Sequence, residues 1–260
     1  MKYLIYFSVL IALATTTVSC EKVIDLNLDA AEQKVVIEGF VTKGETEHTV
    51  TVTRTLEFDQ DQAFPTVDNA TVIISDNAGN SEALQFVGSG VYKTTTLLGV
   101  EGRTYTITVQ VDGETFTASS YLPFQVPLDS LTVQEFPFGP TPVIALTANR
   151  MDPAGIINYY QFELFNGSER LNGIYIQDDQ VSDGVEQLQP ISFGNFVSGD
   201  TATVVMYCID EPVYKYFFAL ASNGGGTGGA TPANPVSNFG TKCLGYFSAR
   251  TQEAKTLVIP

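Results

Sequence analysis

The chain has 260 residues, 44% hydrophobic and 16% charged, which is enough for one large or two ordinary domains with a hydrophobic core. Its formal net charge of −16 argues against binding to nucleic acid, which needs a basic surface that displaces counterions from phosphates. The same charge repels anionic membrane surfaces, so any membrane attachment would be covalent or through another protein.

Residues 1–19 have the organisation of a bacterial export signal. Lys2 supplies a positive charge, residues 3–14 are apolar, and small or hydroxylated residues lead to Cys20. The apolar run is shorter than the roughly 20 residues that a membrane-spanning helix needs. We therefore predict a lipoprotein signal peptide over 1–19, with lipid attached to Cys20 and a tether over 20–33. The alternative is a plain secretory signal, in which Cys20 has no special role.

The region 34–122 has the pattern of short β-strands separated by turns. Asp112-Gly113 predicts a two-residue hairpin turn, because both positions of such a turn need positive φ. The pattern is typical of a two-sheet β-sandwich, followed by a proline-containing linker over 123–130. The region also resembles immunoglobulin-like and transthyretin-like domains, and this resemblance implies a β-sandwich of that kind. The predicted strands are 34–42, 48–56, 70–76, 81–87, 90–97, 104–111 and 114–122.

The region 131–260 predicts a β-rich second domain with one helix, so the expected fold is all-β with two sandwich domains. The helix, near 211–222, has Asp210 as its N-cap and an apolar face containing Tyr214, Phe217 and Phe218. A glycine- and proline-rich loop over 224–238 follows it. The predicted strands are 131–138, 141–152, 158–167, 172–179, 188–193, 201–210, 243–251 and 255–260.

Two cysteines remain if Cys20 carries lipid. In an oxidising compartment an even pair favours a disulfide, so we predict a bond between Cys208 and Cys243. The alternative is two buried free thiols.

The sequence offers little catalytic chemistry. His48 is the only histidine, and its place in a strand favours a structural role. Two acidic clusters could supply paired carboxylates or calcium ligands, but both are better explained as solvated loops. We predict no catalytic residue, no metal and no cofactor. The acidic clusters are Asp59 with Asp61, and Asp178 with Asp179 and Asp183.

Sugar binding usually requires exposed aromatic rings. Because the chain has no tryptophan, Tyr159, Tyr160 and Tyr175 are the candidates, although strand alternation predicts that about half of such tyrosines belong to the core. The signal for a carbohydrate site is therefore weak.

An ordered set of segments resembles the Bacteroidetes outer-membrane lipoprotein family catalogued as domain of unknown function 4249. The resemblance implies an outer-membrane lipoprotein whose gene lies beside that of a TonB-dependent receptor, and it implies no activity or binding residue. The segments include EKVIDLNL (21–28), KVVIEGFVT (34–42), ATVIISDNAGN (70–80), GRTYTITVQVDGETFTASS (102–120), DEPVYKYFFAL (210–220) and NPVSNFGTKCLGYFSART (234–251).

We therefore expect a lipid-anchored accessory or binding protein rather than an enzyme. The sequence leaves open whether it lies on the periplasmic or the outer face of the outer membrane. We expect it to act with a TonB-dependent transporter in nutrient capture or uptake, and we expect the 224–238 loop to make the contact. The alternative is a structural or adhesive surface module that has no transporter partner.

Overall fold

The computed structural model describes residues 33–56, 63–138, 140, 142–224 and 235–260. The predicted signal peptide, Cys20 and nearly all of the 20–33 tether lie outside these residues, as do Asp59, Asp61 and most of the 224–238 loop. Gln33–Pro260 clusters as one compact unit. Within the described ranges, no helix is long and apolar enough to cross a membrane.

The regular secondary structure of the described chain is almost entirely β-strand, which confirms the all-β prediction. Its helix is α1 (Glu211–Gly224). The strands are β1 (Val35–Thr42), β2 (Thr49–Arg54), β3 (Thr71–Asp76), β4 (Ser81–Ala83), β5 (Gln85–Gly88), β6 (Val91–Lys93), β7 (Thr104–Val111), β8 (Glu114–Tyr121), β9 (Ser130–Phe136), β10 (Val143–Met151), β11 (Tyr159–Asn166), β12 (Glu169–Arg170), β13 (Tyr175–Asp178), β14 (Glu186–Gln187), β15 (Pro190–Phe193), β16 (Thr201–Ile209) and β17 (Leu244–Val258).

The first sandwich packs the sheet segment β17-β1-β2-β6-β5 against the sheet β4-β3-β7-β8. Strand alternation places one side of each strand in the core, and on β7 Tyr105, Ile107 and Val109 are fully buried. Asp112 and Gly113 join β7 to β8 with φ of 52° and 80°, which confirms the predicted turn.

The second sandwich packs the other part of the large sheet, β12-β11-β16-β17 with β13 beside β11, against β9, β10, β14 and β15. On β11, the buried side chains Tyr160, Phe162 and Leu164 point into its core. Tyr207 and Ile209 of β16 face the opposite side of the sheet, where α1 covers them. The second half of the chain therefore has its own core and a separate helix-covered surface.

The predicted helix is confirmed, and Asp210 caps it by accepting a hydrogen bond from the Val213 N–H at 3.2 Å. The prediction for Phe218 was wrong, because this side chain is 55% exposed. Val213 and Phe217, four residues apart, are buried against the sheet instead. The apolar face is therefore rotated away from Phe218.

A long final strand connects the two sandwiches. Residues 244–250 of β17 pair in parallel with β1, and residues 251–258 pair antiparallel with β16. The two strands predicted at 243–251 and 255–260 are thus one continuous strand, whose halves belong to different sandwiches. The first sandwich contains residues from the end of the chain, a feature that the predicted domain limits 34–122 and 131–260 did not include.

The predicted disulfide was wrong, because Cys208 and Cys243 are buried free thiols. Cys208 lies in the second core and faces Thr251 in the strand register, whereas Cys243 lies in the first core just before β17. At about 3.3 Å per residue, the strand from Cys243 to Thr251 spans about 25 Å. A disulfide needs Cα atoms within about 7 Å of each other. The structure therefore agrees with the alternative of two free thiols.

Candidate functional site

A concave pocket of about 430 Å³ lies where the linker after β8 meets the start of α1. We call it the linker pocket. Three separate chain segments line it: Tyr121 with 123–126, Pro153 with 156–159, and 208–211. Each segment adjoins a strand end, at β8, at β10 and β11, or at β16, so rigid elements position the wall.

The wall of the linker pocket is largely apolar. Phe124, Ile156 and Ile157 are 64%, 59% and 55% exposed, and all three contribute to the lining. Pro123 fixes the backbone before Phe124 and has no N–H that would need a partner there. Large apolar side chains that stay exposed around a concave surface are typical of a binding site.

The charged groups of the linker pocket are the carboxylates of Asp210 and Glu211. Asp210 accepts hydrogen bonds from the Tyr121 N–H at 3.0 Å and from the helix N–H of Val213. Burial raises the pKa of Asp210. Glu211 lies beside it and forms an exposed ion pair with Lys215, at 2.7 Å between Oε1 and Nζ. None of the residues that line this pocket is lysine, arginine or histidine.

Asn158 belongs to the same wall and has a buried side-chain oxygen. Its backbone N–H donates to both carboxylate oxygens of Asp179 at 2.9 Å, which holds the residue in place. Its side-chain oxygen Oδ1 is buried and has no hydrogen-bond partner in the described structure. A buried acceptor without a partner costs about 1–3 kcal/mol, a penalty that this wall of the pocket carries in the folded state.

Three carboxylates lie close together beside the loop that carries Asn158, and two of them accept hydrogen bonds from it. Oxygen atoms of Asp152, Asp179 and Asp183 all lie within 4.8 Å of one another, and the first two residues are buried. Asp152 accepts hydrogen bonds from the Tyr160 hydroxyl at 2.9 Å and the Gly184 N–H at 3.0 Å. We call these three residues the carboxylate cluster.

The carboxylate cluster fastens the pocket loop to the rest of the second sandwich. Asp183 accepts the Gly155 N–H at 2.8 Å, and Asp179 accepts that of Asn158. The spacing of the oxygens would admit a cation, but their hydrogen bonds already join the loop over 153–158 to the turn that follows β13. This arrangement explains the cluster as a structural connection, and no ion is needed to account for it.

Only part of this cluster was predicted. The interpretation as a solvated loop was wrong for Asp179, which is fully buried, whereas Asp183 is exposed; Asp152 joins them from the end of β10. Asp178 lies elsewhere, because it accepts a hydrogen bond at 2.6 Å from the hydroxyl of Tyr214 on α1. Neighbouring residues of an extended segment point to opposite sides, which separates Asp178 from Asp179.

A buried arginine adds positive charge near the carboxylate cluster. The Arg150 guanidinium lies 3.9 Å from the centroid of the Tyr160 ring and donates to Gln177 at 3.1 Å. Burial and the hydrogen bond to Asp152 raise the pKa of Tyr160, so its hydroxyl stays protonated and donates. Arg150, Tyr160 and Asp152 thus form a connected polar group between the sheets.

The family described as "Domain of unknown function (DUF4249)" matches residues 21–256. The chain belongs to this family. The resemblance found in the sequence is thereby confirmed, over nearly the whole chain. No curated protein matches it.

Among solved structures, the chain is similar to two crystal structures of pullulanase from Anoxybacillus sp. LM18-11. The complex with maltotriose is 12% identical, with 65% of this chain and 24% of that chain covered and a TM-score of 0.23. The other pullulanase structure is also 12% identical, with 69% and 26% covered and a TM-score of 0.22. The chain spans about a quarter of the length of these enzymes, and likeness at this level carries no argument about fold or function.

Replacing Asp179 with asparagine should change how stability depends on pH. Burial and the neighbouring Asp152 carboxyl raise the pKa of Asp179 from 3.8 to about 6. A raised pKa in the folded state stabilises the fold below about pH 4, and that contribution disappears as pH rises through 6. Asp179→Asn keeps an acceptor for Asn158 and removes the repulsion. The variant should therefore gain on the order of 1 kcal/mol over the natural chain between pH 4 and 7.5.

Denaturant unfolding at a series of pH values measures this difference. Ser182→Ala, a neutral change in the same turn, should shift stability by an amount that does not vary with pH. Stability curves for Asp179→Asn and the natural chain that run parallel from pH 4 to 7.5 would contradict the raised pKa of Asp179 in the folded state.

The remaining predicted residues have structural roles. His48 is fully buried, its Nε2 lies 2.8 Å from the Leu97 carbonyl oxygen, and burial lowers its pKa. Tyr160 is a core residue, whereas Tyr159 and Tyr175 are partly buried. Only Tyr159 of the three predicted tyrosines lines the linker pocket.

Sequence reasoning missed the linker pocket and with it Phe124, Ile157 and Asn158. The available signal was an apolar Pro123-Phe124 pair inside a segment that otherwise looks like a linker, and Ile156-Ile157 in a loop. Such exposed apolar residues outside strands deserve a functional hypothesis, but nothing in the local pattern shows that the two segments meet.

Proposed function

We propose that the protein is a lipid-anchored accessory or binding protein of the outer membrane that acts with a TonB-dependent transporter in nutrient capture or uptake. The observation that carries the binding role is the linker pocket. The membrane and transporter parts rest on the predicted lipid attachment at Cys20 and on the family resemblance found in the sequence.

The shape and composition of the linker pocket favour recognition of a molecule. Its volume of about 430 Å³ lies within the range of roughly 300–1,000 Å³ that is usual for small-molecule sites. Phe124, Ile156 and Ile157 leave apolar surface in water, and a ligand would bury it at about 25 cal/mol per Å². The hydrogen bonds of the carboxylate cluster hold the loop wall before any ligand arrives, which lowers the entropy lost on binding.

Binding is favoured over catalysis by the chemistry of the lining residues. Cys208 is the nucleophilic side chain with the best position, at the inner end of the linker pocket. Burial raises the pKa of its thiol, and its sulfur accepts the Val126 N–H at 3.4 Å. A neutral thiol without a neighbouring base is a poor nucleophile. We therefore propose that the protein is not an enzyme.

Fractionation of native cells, followed by affinity purification after mild crosslinking, tests the proposal. The protein should be recovered with the outer membrane together with a barrel transporter, and Cys20→Ser should release it from the membrane. Phe124→Ser should weaken recovery of the transporter or of its cargo. The matched control is Phe138→Ser, since Phe138 is 80% exposed and does not line the linker pocket.

Recovery of the natural chain in the soluble periplasm, without a barrel partner, would overturn the proposed function. Equal recovery of the transporter with Phe124→Ser and Phe138→Ser would show that the linker pocket has no part in the proposed function.

A further inference from the structure

We propose that the ligand of the linker pocket is a small organic cation, an amine with an aromatic or branched apolar body and a protonated ammonium group. This inference rests on the proposed function, because it takes the pocket to be the binding site. It adds the chemical class of the ligand, which follows from the distribution of acceptors and apolar groups around the pocket.

The charges around the pocket favour a cation. Asp210 and Glu211 lie together at the start of α1, and the lining contains no basic side chain that would neutralise them. Lys215 pairs with Glu211, but both side chains are more than half exposed, so this pair is weak and exchangeable. The formal net charge of −16 also attracts a cation and repels an anion over longer range.

The acceptors of the pocket have capacity to spare. Asp210 accepts one N–H on each of its two oxygens and a further hydrogen bond from the Ser120 side chain, whereas a carboxylate can accept about four hydrogen bonds. An ammonium group carries three donors and no acceptor, which complements the two neighbouring carboxylates Asp210 and Glu211 of the lining.

The size and surface of the pocket restrict the rest of the ligand. A volume of about 430 Å³ holds a small molecule or a single large side chain, and it is too small for a folded partner. Phe124, Ile156 and Ile157 provide apolar contacts for the body of the ligand, and the Tyr159 ring can in addition attract a cation through its face. A hydrophilic polyamine would leave these contacts unused.

A set of three compounds with the same body separates recognition of the charge from burial of the ring. The probes are 4-phenylbutylamine, 4-phenylbutan-1-ol and 4-phenylbutanoate, titrated calorimetrically into the intact protein in detergent micelles, with empty micelles as the blank. The amine should bind roughly tenfold more tightly than the alcohol, because charge-assisted hydrogen bonds are about twice as strong as neutral ones. The carboxylate should bind more weakly than the alcohol.

Two glutamate variants locate the charge that is recognised. Glu211→Gln should weaken binding of the amine by roughly fivefold, as expected for a partly exposed ion pair, and leave the alcohol unchanged. Glu114→Gln is the matched control, since Glu114 lies at the opposite end of β8 from Tyr121 and should change neither affinity.

The outcomes distinguish this inference from the function on which it rests. Equal affinities for the amine and the alcohol, both lost in Phe124→Ser, would overturn the ligand class and keep the linker pocket as a binding site. If no probe bound in a Phe124-dependent way, the inference would fail, and the purification of transporter complexes would still decide the proposed function separately. An effect of Glu114→Gln equal to that of Glu211→Gln would show that only overall charge matters, which would also overturn it.

Discussion

Replacing Gly245 with alanine should destabilise the protein by about 4 kcal/mol or more, a loss large enough to prevent folding of a marginally stable chain. Gly245 is the second residue of β17, and it pairs with Ile37 at the centre of the first sandwich. Its φ of 92° lies in a region that side chains with a Cβ rarely adopt.

Two effects add at this position. Strained backbone of this kind costs on the order of 1–3 kcal/mol for a residue other than glycine. In addition, a Cβ at Gly245 would lie 2.7 Å from the carbonyl carbon of Ile37 and closer still to its oxygen. Backbone atoms of a paired strand cannot turn aside as a flexible side chain can, so β1 and β17 would have to separate.

A glycine with the same backbone conformation and open space around it isolates the second effect. Gly199 also has a φ of 92°, and a Cβ built there meets nothing within 4 Å. Gly199→Ala should therefore cost only about 1–2 kcal/mol, from strain alone. Denaturant unfolding followed by tyrosine fluorescence compares the variants, since the chain has 12 tyrosines and no tryptophan. Equal losses in the two variants would show that close strand approach at Gly245 does not matter.

The consequences of the Gly245 contact extend to both sandwiches. Residues 244–250 pair within the part of the large sheet that covers the first core, and residues 251–258 within the part that covers the second, so a displaced β17 weakens both cores at once. The Gly245→Ala variant should therefore unfold in one cooperative transition, at a lower denaturant concentration than the natural chain. The contact also links Gly245 to the linker pocket, because β16 pairs with β17 and ends in the lining residues Cys208 and Ile209.

Local pattern predicted the strands well and their long-range pairing poorly. The β7–β8 hairpin follows from alternating threonine and apolar residues around Asp112-Gly113, all within one short segment. The parallel pairing of β1 with β17 joins residues that lie about 200 positions apart in the chain. Alternation shows which side of a strand is buried but does not name its partner, so this junction could not be predicted.

In the candidate site, too, only groupings of residues that are close in sequence could be predicted. Asp179 and Asp183 were recognised as an acidic group because they are neighbours in sequence. Asp152 joins them from another strand, and the linker pocket needs three separate segments to meet. The disulfide prediction failed for a related reason, since the number of cysteines carries no distance between Cys208 and Cys243.

Replacing Glu82 with glutamine should lower the free energy of unfolding by about 2–3 kcal/mol at pH 7, the second large effect that we predict. The Glu82 carboxylate accepts five hydrogen bonds from the segment 95–97: two backbone and hydroxyl pairs from Thr95 and Thr96, and the Leu97 N–H at 2.7 Å. A glutamine presents one NH₂ group to these donors, so either the Thr95 N–H or the N–H groups of Thr96 and Leu97 lose their acceptor. Leu97, which is 4% exposed, would then be held less firmly in the first core.

The pH dependence of this variant identifies the cause of its loss. Burial alone would raise the pKa of Glu82, but the hydrogen bonds from Thr95 and Thr96 lower it from 4.5 to about 2. A lowered pKa in the folded state gives stability that is present above about pH 4.5 and is lost as pH falls towards 2. The difference in stability between the natural chain and Glu82→Gln should therefore shrink from pH 7 to pH 3.

Glu135→Gln, at an exposed glutamate of β9, is the control and should change stability by less than about 0.5 kcal/mol. A difference for Glu82→Gln that stays constant down to pH 3 would mean that lost packing, rather than the charged acceptor, causes the destabilisation.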